Sequence, residues 1–416
     1  MKFRSIKGTK DILPDEVAAW QHVESTVRRV MHAFNYKEIR TPVFEQTSLF
    51  ARSIGELTDI VSKEMYTFLD RSEESITLRP EGTASALRAY IQNNLGEQNP
   101  LVKVYYIGPM FRQERPQAGR LRQFHQFGAE SLGGSSPQLD VEMMLLPLEI
   151  YRQLGIDQFA LKINSVGCEK CRPIYKTILQ TELKKVFDQL SHDSQLRVEN
   201  NPLRVLDSKD ENDKQLTAHA PLIKDYLCDE CKNHFVTVRS LLDGAGIKYE
   251  IDGRLVRGLD YYTKTAFEIT STALGSQDAL AGGGRYDILV EELGGKSTPG
   301  VGFAAGIERL LIVLTKLEKN TAIATTPKIF LIGLDEPSRQ WAFLKAQELR
   351  RSGIGAEIDY LARSIKAQMR EANRQQAEYV VVVGESELNS KSAKLKHMQT
   401  GEETEVSLDS LEQSLR

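Results

Sequence analysis

The chain has 416 residues, 41% apolar and 27% charged, with a net charge of −3 and a pI near 6.2. At ~100–200 residues per domain, this predicts two or three domains and excludes a disordered chain. No apolar run approaches the ~18–20 residues of a membrane span; the best, Val301 to Leu314, is broken by Glu308 and Arg309.

In chain order, residues 1–165 mix helical and strand patterns. The opening MKFRSIKGTKDILP lacks an apolar h-region, so no secretory signal is expected. Val23, Val27, Val30, Met31 and Phe34 recur at helical spacing, predicting a helix over Trp20–Phe34. Leu101–Phe111 and Gln123–Glu130 read as the strands of a long hairpin around the loop QERPQAGRLR, hence an antiparallel sheet. Residues 166–245 turn helical, hold all four cysteines and read as an insertion. Strand signals return at Tyr261–Thr270, followed by the run Gly282–Gly284, which alone reads as a strand bulge. GVGFAAGIERLLIVL at 300–314 predicts a strand, a turn and a helix. Residues 318–327 read as a linker. KIFLIGL, a helix to about Arg351, AEIDYLA, a helix over Ser364–Ala377 and YVVVVGE then predict a separate α/β domain over 328–416.

The hairpin carries the first candidate chemistry. Strand parity puts Phe124, Gln126, Gly128 and Glu130 on one face, with Arg112, Arg115, Arg120 and Arg122 at the connecting loop. Guanidinium forks pair with carboxylate or phosphate, so this face suits an amphoteric small molecule beside a phosphate, against the plainer reading of a solvated hairpin. RGLDYYTKTAFE at 257–268 adds Arg257 and two tyrosines. Alternation would put Tyr261 and Tyr262 on opposite faces, one lining a site and the other supporting it. Tyr286 follows the glycine run, and Arg309 sits in the first turn of its helix. Neither a dinucleotide-binding G-x-G-x-x-G nor a P-loop occurs.

The cysteines form two C-x-x-C pairs, Cys168/Cys171 and Cys228/Cys231, with 228 − 171 − 1 = 56 residues between them. So few thiols suit a cytoplasmic protein rather than a secreted disulfide framework. The pairs match a tetrahedral structural zinc site, with His234 a spare ligand, although ribbon intervals run ~15–20 residues. Closing the interval costs ~4 kcal/mol against ~10–16 from zinc binding. The alternative is four thiols that merely pack in a helical insertion.

Taken together, these segments resemble the histidyl-tRNA synthetases, a family of class II aminoacyl-tRNA synthetases. GTKDILP at 8–14, TPVFE at 41–45, LRPEGT at 78–83, the hairpin segment 107–130, LVRGLDYY at 255–262, AGGGRYD at 281–287 and GVGFAAGIERL at 300–310 carry the resemblance. It implies an α/β chain with an α+β catalytic core over 1–165 and 246–317, an antiparallel sheet flanked by helices. The helical insertion and a C-terminal mixed α/β anticodon-binding domain complete it. The family joins L-histidine to ATP and passes the histidyl group to its tRNA(His), with magnesium assisting. The resemblance implies that Arg112 holds the histidine carboxylate and α-phosphate and that Arg257 stabilises the transferring phosphate. Arg120 and Arg309 would hold the outer phosphates, and Phe124 would stack on adenine. Glu81, Gly82, Thr83 and Gln126 would orient the amino acid, and Glu130, Tyr261, Tyr262 and Tyr286 would read its imidazole. Arg115, Gln117 and Arg122 would face the tRNA acceptor end, and Lys366, Arg370 and Arg374 would form a basic stripe toward the anticodon. A homodimer built on the 41–45 segment is implied.

Three rivals share the fold: a non-catalytic, synthetase-like regulatory subunit of histidine biosynthesis, an RNA-binding protein derived from it, and a synthetase for another amino acid. Arg257 with the full arginine set argues against the first two, and RGLDYY against the third.

Overall fold

A computed structural model describes residues 3–55, 58, 60–117, 119–208, 210–257, 261–274, 279–319 and 326–415. The chain forms two compact units, residues 1–322 and 323–416, each with its own core. Most of the expected linker, residues 320–325, lies outside the described residues.

The first unit is built on eight strands: β1 (Lys37–Glu38), β2 (Val102–Phe111), β3 (Gln123–Leu132), β4 (Ala160–Gly167), β5 (Glu250–Ile251), β6 (Thr263–Thr270), β7 (Ala279–Arg285) and β8 (Gly300–Gly306). Their order is β1-β2-β3-β8-β7-β6-β4-β5. Only the outer pairs β1/β2 and β4/β5 are parallel; the six central strands are antiparallel throughout. The hairpin β2/β3 is in register from Val102 opposite Leu132 to Phe111 opposite Gln123.

Six helices matter here: α1 (Pro14–Ala33), α2 (Thr83–Gln92), α3 (Pro137–Gln153), α4 (Arg172–Lys184), α5 (Asp229–Gly244) and α6 (Ile307–Lys316). Phe127 and Ala129 of β3 enter one core with the buried stripes of α1, α3 and α6. The residues alternating with them are therefore turned to the other sheet face, which is free of those helices. Helix α1 starts at Pro14, earlier than the apolar spacing predicts, because a proline in the first turn gives up no hydrogen bond and Asp15 and Glu16 favour a helix N-terminus. The glycine run is the middle of β7, with a register shift between Gly284 and Arg285. Strand β8 passes into α6 with no intervening turn, since Gly306 itself is the N-cap. A separate antiparallel trio, Phe44–Gln46, Tyr66–Leu69 and Ser75–Leu78, has strands of three or four residues, too short for alternation to mark them.

One buried carboxylate locks the layers together. Asp140 of α3 accepts hydrogen bonds from Arg285 Nε at 2.9 Å and Thr265 Oγ1 at 2.5 Å, and lies 2.6 Å from His234 Nε2 of α5. Both Asp140 and Arg285 are sealed from solvent.

In the second unit, the strands are β9 (Ile329–Gly333), β10 (Ala356–Ile358), β11 (Tyr379–Val383), β12 (Ser392–His397) and β13 (Glu403–Ser407), in the order β10-β9-β11-β12-β13. Helices α7 (Glu336–Arg351) and α8 (Ile365–Arg374) pack on it. Helix α8 stops short of Ala377 because Gln376 takes φ 54° and the Ala377 amide turns back to Ala372.

Replacing Asp140 by Ala leaves Arg285 charged and buried with its principal partner gone. Unfolding stability should fall by ~3–5 kcal/mol. A urea midpoint unchanged from the parent would show that the clamp is dispensable.

Candidate functional site

The sheet face away from α1, α3 and α6 holds a cavity of about 210 Å³. Its floor comes from β3, β7 and β8, through Phe124, Gln126, Ala281, Gly282 and Gly302. Two of these glycines are required by close approach. A Cβ on Gly282 would overlap the Arg257 guanidinium, and one on Gly302 would overlap the Glu130 carboxylate. Charged side chains thus lie directly on the sheet backbone.

Four arginines reach this cavity: Arg112, Arg120, Arg257 and Arg309. Arg112 donates through Nε to the Pro80 carbonyl at 2.9 Å and lies 5.2 Å over the Phe124 ring. Arg120 pairs with Glu114 at 3.1 Å. Arg309 donates to the Gly119 and Ala279 carbonyls at 3.1 and 2.8 Å. Burial, then the nearby Arg120, holds its guanidinium below the usual range. Arg257 pairs with Glu268 at 2.6 Å, while its Nε is buried without a hydrogen-bond partner. Burial works against the Arg257 charge, and the Glu268 carboxylate outweighs it. Four guanidiniums against Glu114, Glu268 and Glu308 still leave a net positive field, suited to a polyanion.

Buried carboxylates adjoin this arginine set: Glu81 lines the cavity, and Glu130 lies behind the lining, bonded to the lining Tyr286. Glu130 is buried and accepts from Tyr106 Oη at 3.2 Å and from the Tyr286 hydroxyl. Burial pushes its carboxyl up to about 8, against the hydrogen bonds it accepts. Glu81 is also buried and accepts the amides of Thr83 and Ala84 at 2.7 and 2.8 Å, at the start of α2. Burial raises its carboxyl as well. The Gln126 Oε1 is buried with no hydrogen-bond partner, an acceptor waiting for a donor. Such a set of donors and acceptors fits a small group with both N–H and lone-pair sites.

Tyr261 and Tyr262 do not take opposite faces. Both line the cavity, with ring centroids 4.7 Å apart. The reason is that β6 begins at Thr263, so the tyrosines precede the strand and escape its alternation. Residues 258–260 of the same motif lie outside the described residues. Gly82 is buried beneath the Tyr106 ring. Arg115, Gln117 and Arg122 stay outside the cavity lining. Arg115 and Gln117 are exposed, and Arg122 donates to the Glu114 carbonyl. Lys366, Arg370 and Arg374 are exposed on α8, in the second unit, with Arg374 paired to Glu371.

Sequence reasoning missed Tyr106, Glu114 and Glu268. Tyr106 could have been found, since hairpin register places it opposite Gly128. The two carboxylates carry no local signal, because their partners come from other segments.

The four cysteine sulfurs lie within 4.8 Å of one another. His234 is not among them: its ring is committed to Asp140.

Comparison with known proteins follows this geometry. The family described as Histidyl-tRNA synthetase matches residues 8–310, and the Anticodon binding domain matches residues 330–416. The chain is 54% identical to the histidine–tRNA ligase of Chloroherpeton thalassium, over 98% of this chain and 96% of that protein. It is 49% identical to that of Caldanaerobacter subterraneus subsp. tengcongensis, over the full length of both. Among solved structures, apo S. aureus histidyl-tRNA synthetase matches at a TM-score of 0.85 and 38% identity, covering 100% of both chains. A Bacillus halodurans C structure described as an ATP phosphoribosyltransferase regulatory subunit/histidyl-tRNA synthetase shares the fold at 20% identity and a TM-score of 0.66, covering 92% of this chain and 99% of that one.

The raised Glu130 carboxyl has a signed consequence. The folded state keeps a proton that the unfolded chain releases near pH ~4.3. The stability this contributes is full below that pH and is lost as pH rises toward about 8. Glu130→Gln removes the titration. Between pH ~5 and ~8 the parent should lose up to ~1.4 kcal/mol per pH unit relative to the variant. Parallel Tm–pH curves would mean that Glu130 ionises normally.

Proposed function

The chain belongs to the histidyl-tRNA synthetase family, and from that premise we propose a residue-by-residue account of its chemistry. It attaches L-histidine to its cognate tRNA with ATP, releasing AMP and pyrophosphate. The observation that carries the account is one cavity lined by four guanidiniums together with Tyr261, Tyr262, Tyr286 and the buried Glu81, with Glu130 behind the lining and bonded to Tyr286. That combination matches a nucleotide phosphate chain meeting an amino acid whose ring ends in two nitrogens.

In the first step a histidine carboxylate oxygen attacks the α-phosphorus and pyrophosphate leaves. Negative charge gathers on the phosphoryl oxygens, and fixed cations aimed there lower the barrier without reorganising. In this reading Arg112 and Arg257 flank the reacting centre from opposite segments. Arg257 is held by Glu268 and set close to the backbone by Gly282, and its unpartnered Nε supports the same role. Arg120 and Arg309 take the outer phosphates, with Mg²⁺ supplying further charge neutralisation when bound. Phe124, already beneath Arg112, offers its ring to adenine.

Glu81, Thr83 and Gln126 orient the ammonium end, the unpartnered Gln126 oxygen accepting from it. Glu130, with Tyr261, Tyr262 and Tyr286, reads the imidazole. A site built to hydrogen-bond both ring nitrogens disfavours analogues lacking them by ~10⁴–10⁵. The four cysteines take a structural Zn²⁺ in this reading and no part in the chemistry.

Val43 and Phe44 of the 41–45 segment, with Phe68 and Leu69 of the same small sheet, are exposed apolar residues, which supports a homodimer through that face. A cytoplasmic location follows from the product, which is consumed by ribosomes. The regulatory-subunit reading has no observation of its own, since it leaves the arginine set without a use.

Arg257→Ala should leave the fold intact, because Glu268 regains solvent, and should cut turnover in histidine-dependent ATP–pyrophosphate exchange by ~10²–10³. Exchange within a factor of about two of the parent would remove Arg257 from the mechanism.

Deleting residues from 326 onward should keep exchange activity and sharply reduce tRNA charging. In the full chain, each phosphate contact of the α8 stripe should add ~0.7–0.9 to the salt slope of tRNA binding. Full-rate charging by a dimeric truncated protein would show that this domain is not the anticodon reader.

A further inference from the structure

We propose that the Zn²⁺ of the four cysteines anchors the tyrosines that read the imidazole, so that metal occupancy sets affinity for histidine. The proposal rests on the zinc reading above and adds a role to it.

The metal fits first on distances. Cys168 Sγ lies 3.8 Å from Cys171 and 3.7 Å from Cys228, and Cys171 lies 3.8 Å from Cys231. A tetrahedron with Zn–S bonds of ~2.3 Å has edges of ~3.8 Å. Three of the six edges therefore match a zinc tetrahedron, with all four sulfurs within 4.8 Å of one another, and these pairs are too far apart for disulfides. The Cys168 amide also donates to Cys171 Sγ at 3.2 Å, a contact that favours a thiolate.

The site's position gives it a task. Cys171 caps α4 and Cys228 caps α5, so the metal joins the start of both helices to the end of β4. Gly167 makes the turn at φ 73°, where a Cβ would stand 2.9 Å from Cys171 Sγ.

Three arms run from this knot to the tyrosines. Arg172, adjacent to Cys171, donates to the Tyr262 carbonyl at 2.8 Å. Glu230, between Cys228 and Cys231, pairs with Lys264 at 3.1 Å. Lys264 in turn pairs with Asp287 at 3.3 Å, and the Asp287 amide donates to Thr263 Oγ1 at 3.1 Å. His234, one turn past Cys231, holds Asp140 and through it Arg285. Tyr262 and Tyr286 are thus flanked by residues tied to the metal knot. Lys264 adopts φ 50°, a left-handed conformation uncommon for a non-glycine residue, and its ion pairs with Glu230 and Asp287 help to hold it there. These arms end on the tyrosine segment, whereas Arg112, Arg120 and Arg309 are held by the Pro80, Glu114, Gly119 and Ala279 groups, so ATP binding should depend on the metal less than histidine binding does.

The test has separate readouts for the metal and for its role. Untagged protein purified without chelator should contain about one zinc per chain. Less than about a tenth would overturn the zinc reading and the anchor with it. Chelator-depleted protein, and Cys228→Ser if it folds by circular dichroism, should bind histidine about tenfold more weakly by calorimetry. Its KM for ATP should stay within about twofold, and added Zn²⁺ should restore histidine binding to the depleted parent. Arg172→Ala keeps all four ligands, so it should retain its zinc and still weaken histidine binding about tenfold, with Arg172→Lys recovering part of the loss. Histidine affinity within about twofold of the parent in zinc-depleted folded protein, or in zinc-replete Arg172→Ala, would overturn the anchor and leave the metal site standing. If Cys228→Ser does not fold, depletion and Arg172→Ala decide the matter alone.

Discussion

A carboxylate sealed from water persists only if its lone pairs are occupied, and Asp140 satisfies that condition with groups drawn from three other elements. Arg285 comes from β7, Thr265 from β6 and His234 from α5. The low-dielectric surroundings make each bond strong and each omission costly. Helix α3 is thereby fixed on the helix-covered face while the two strands present their other face to substrate. Arg285, the largest fully buried side chain among the described residues, immediately precedes Tyr286, whose hydroxyl meets Glu130. One structural ion pair therefore sets the position of a recognition residue.

The catalytic floor follows a second constraint, the space a charged side chain needs over a sheet. Glycines at 282 and 302 remove the Cβ atoms that would hold Arg257 and Glu130 away from the backbone. The cost is a weakened central strand, since glycine adds nothing to cross-strand packing. It is offset because β7 is hydrogen-bonded on both sides, to β6 and β8. Positive charge and a buried carboxylate then meet in one cleft, the combination that activating an amino acid with a nucleotide demands.

Much of this was legible in the sequence. The long hairpin declared itself by its apolar alternation and polar loop, and its parity grouped Phe124, Gln126, Gly128 and Glu130 as the register has them. The alternating strands and helices of the second unit were equally plain. What failed has physical causes. Tyr261 and Tyr262 were assigned strand alternation, yet β6 starts two residues after Tyr261, and no local signal marks that boundary. His234 looked like a ligand because imidazole beside paired thiols suits a metal, whereas a carboxylate 94 positions away claims it. The β12/β13 hairpin was missed because lysines and glutamates dominate its exposed face. The paired cysteines were legible in spacing, but their link to Tyr262 through Arg172 is a tertiary fact.

Strand β8 fills the gap between β3 and β7, pairing Gly306 with Gln126 and Ala305 with both Phe127 and Ala281. During synthesis β3 must therefore wait for a strand made 180 residues later, Gln126 to Gly306. At ~5–20 residues per second, that wait is on the order of ten seconds or more. Throughout it the β2/β3 hairpin offers an unpaired edge and the apolar faces of Phe127 and Ala129 to whatever is nearby. The nascent chain should accordingly be a client of ribosome-associated chaperones until β8 emerges. The insertion before β8 lengthens that exposure, so the chain's size is itself a burden on its birth.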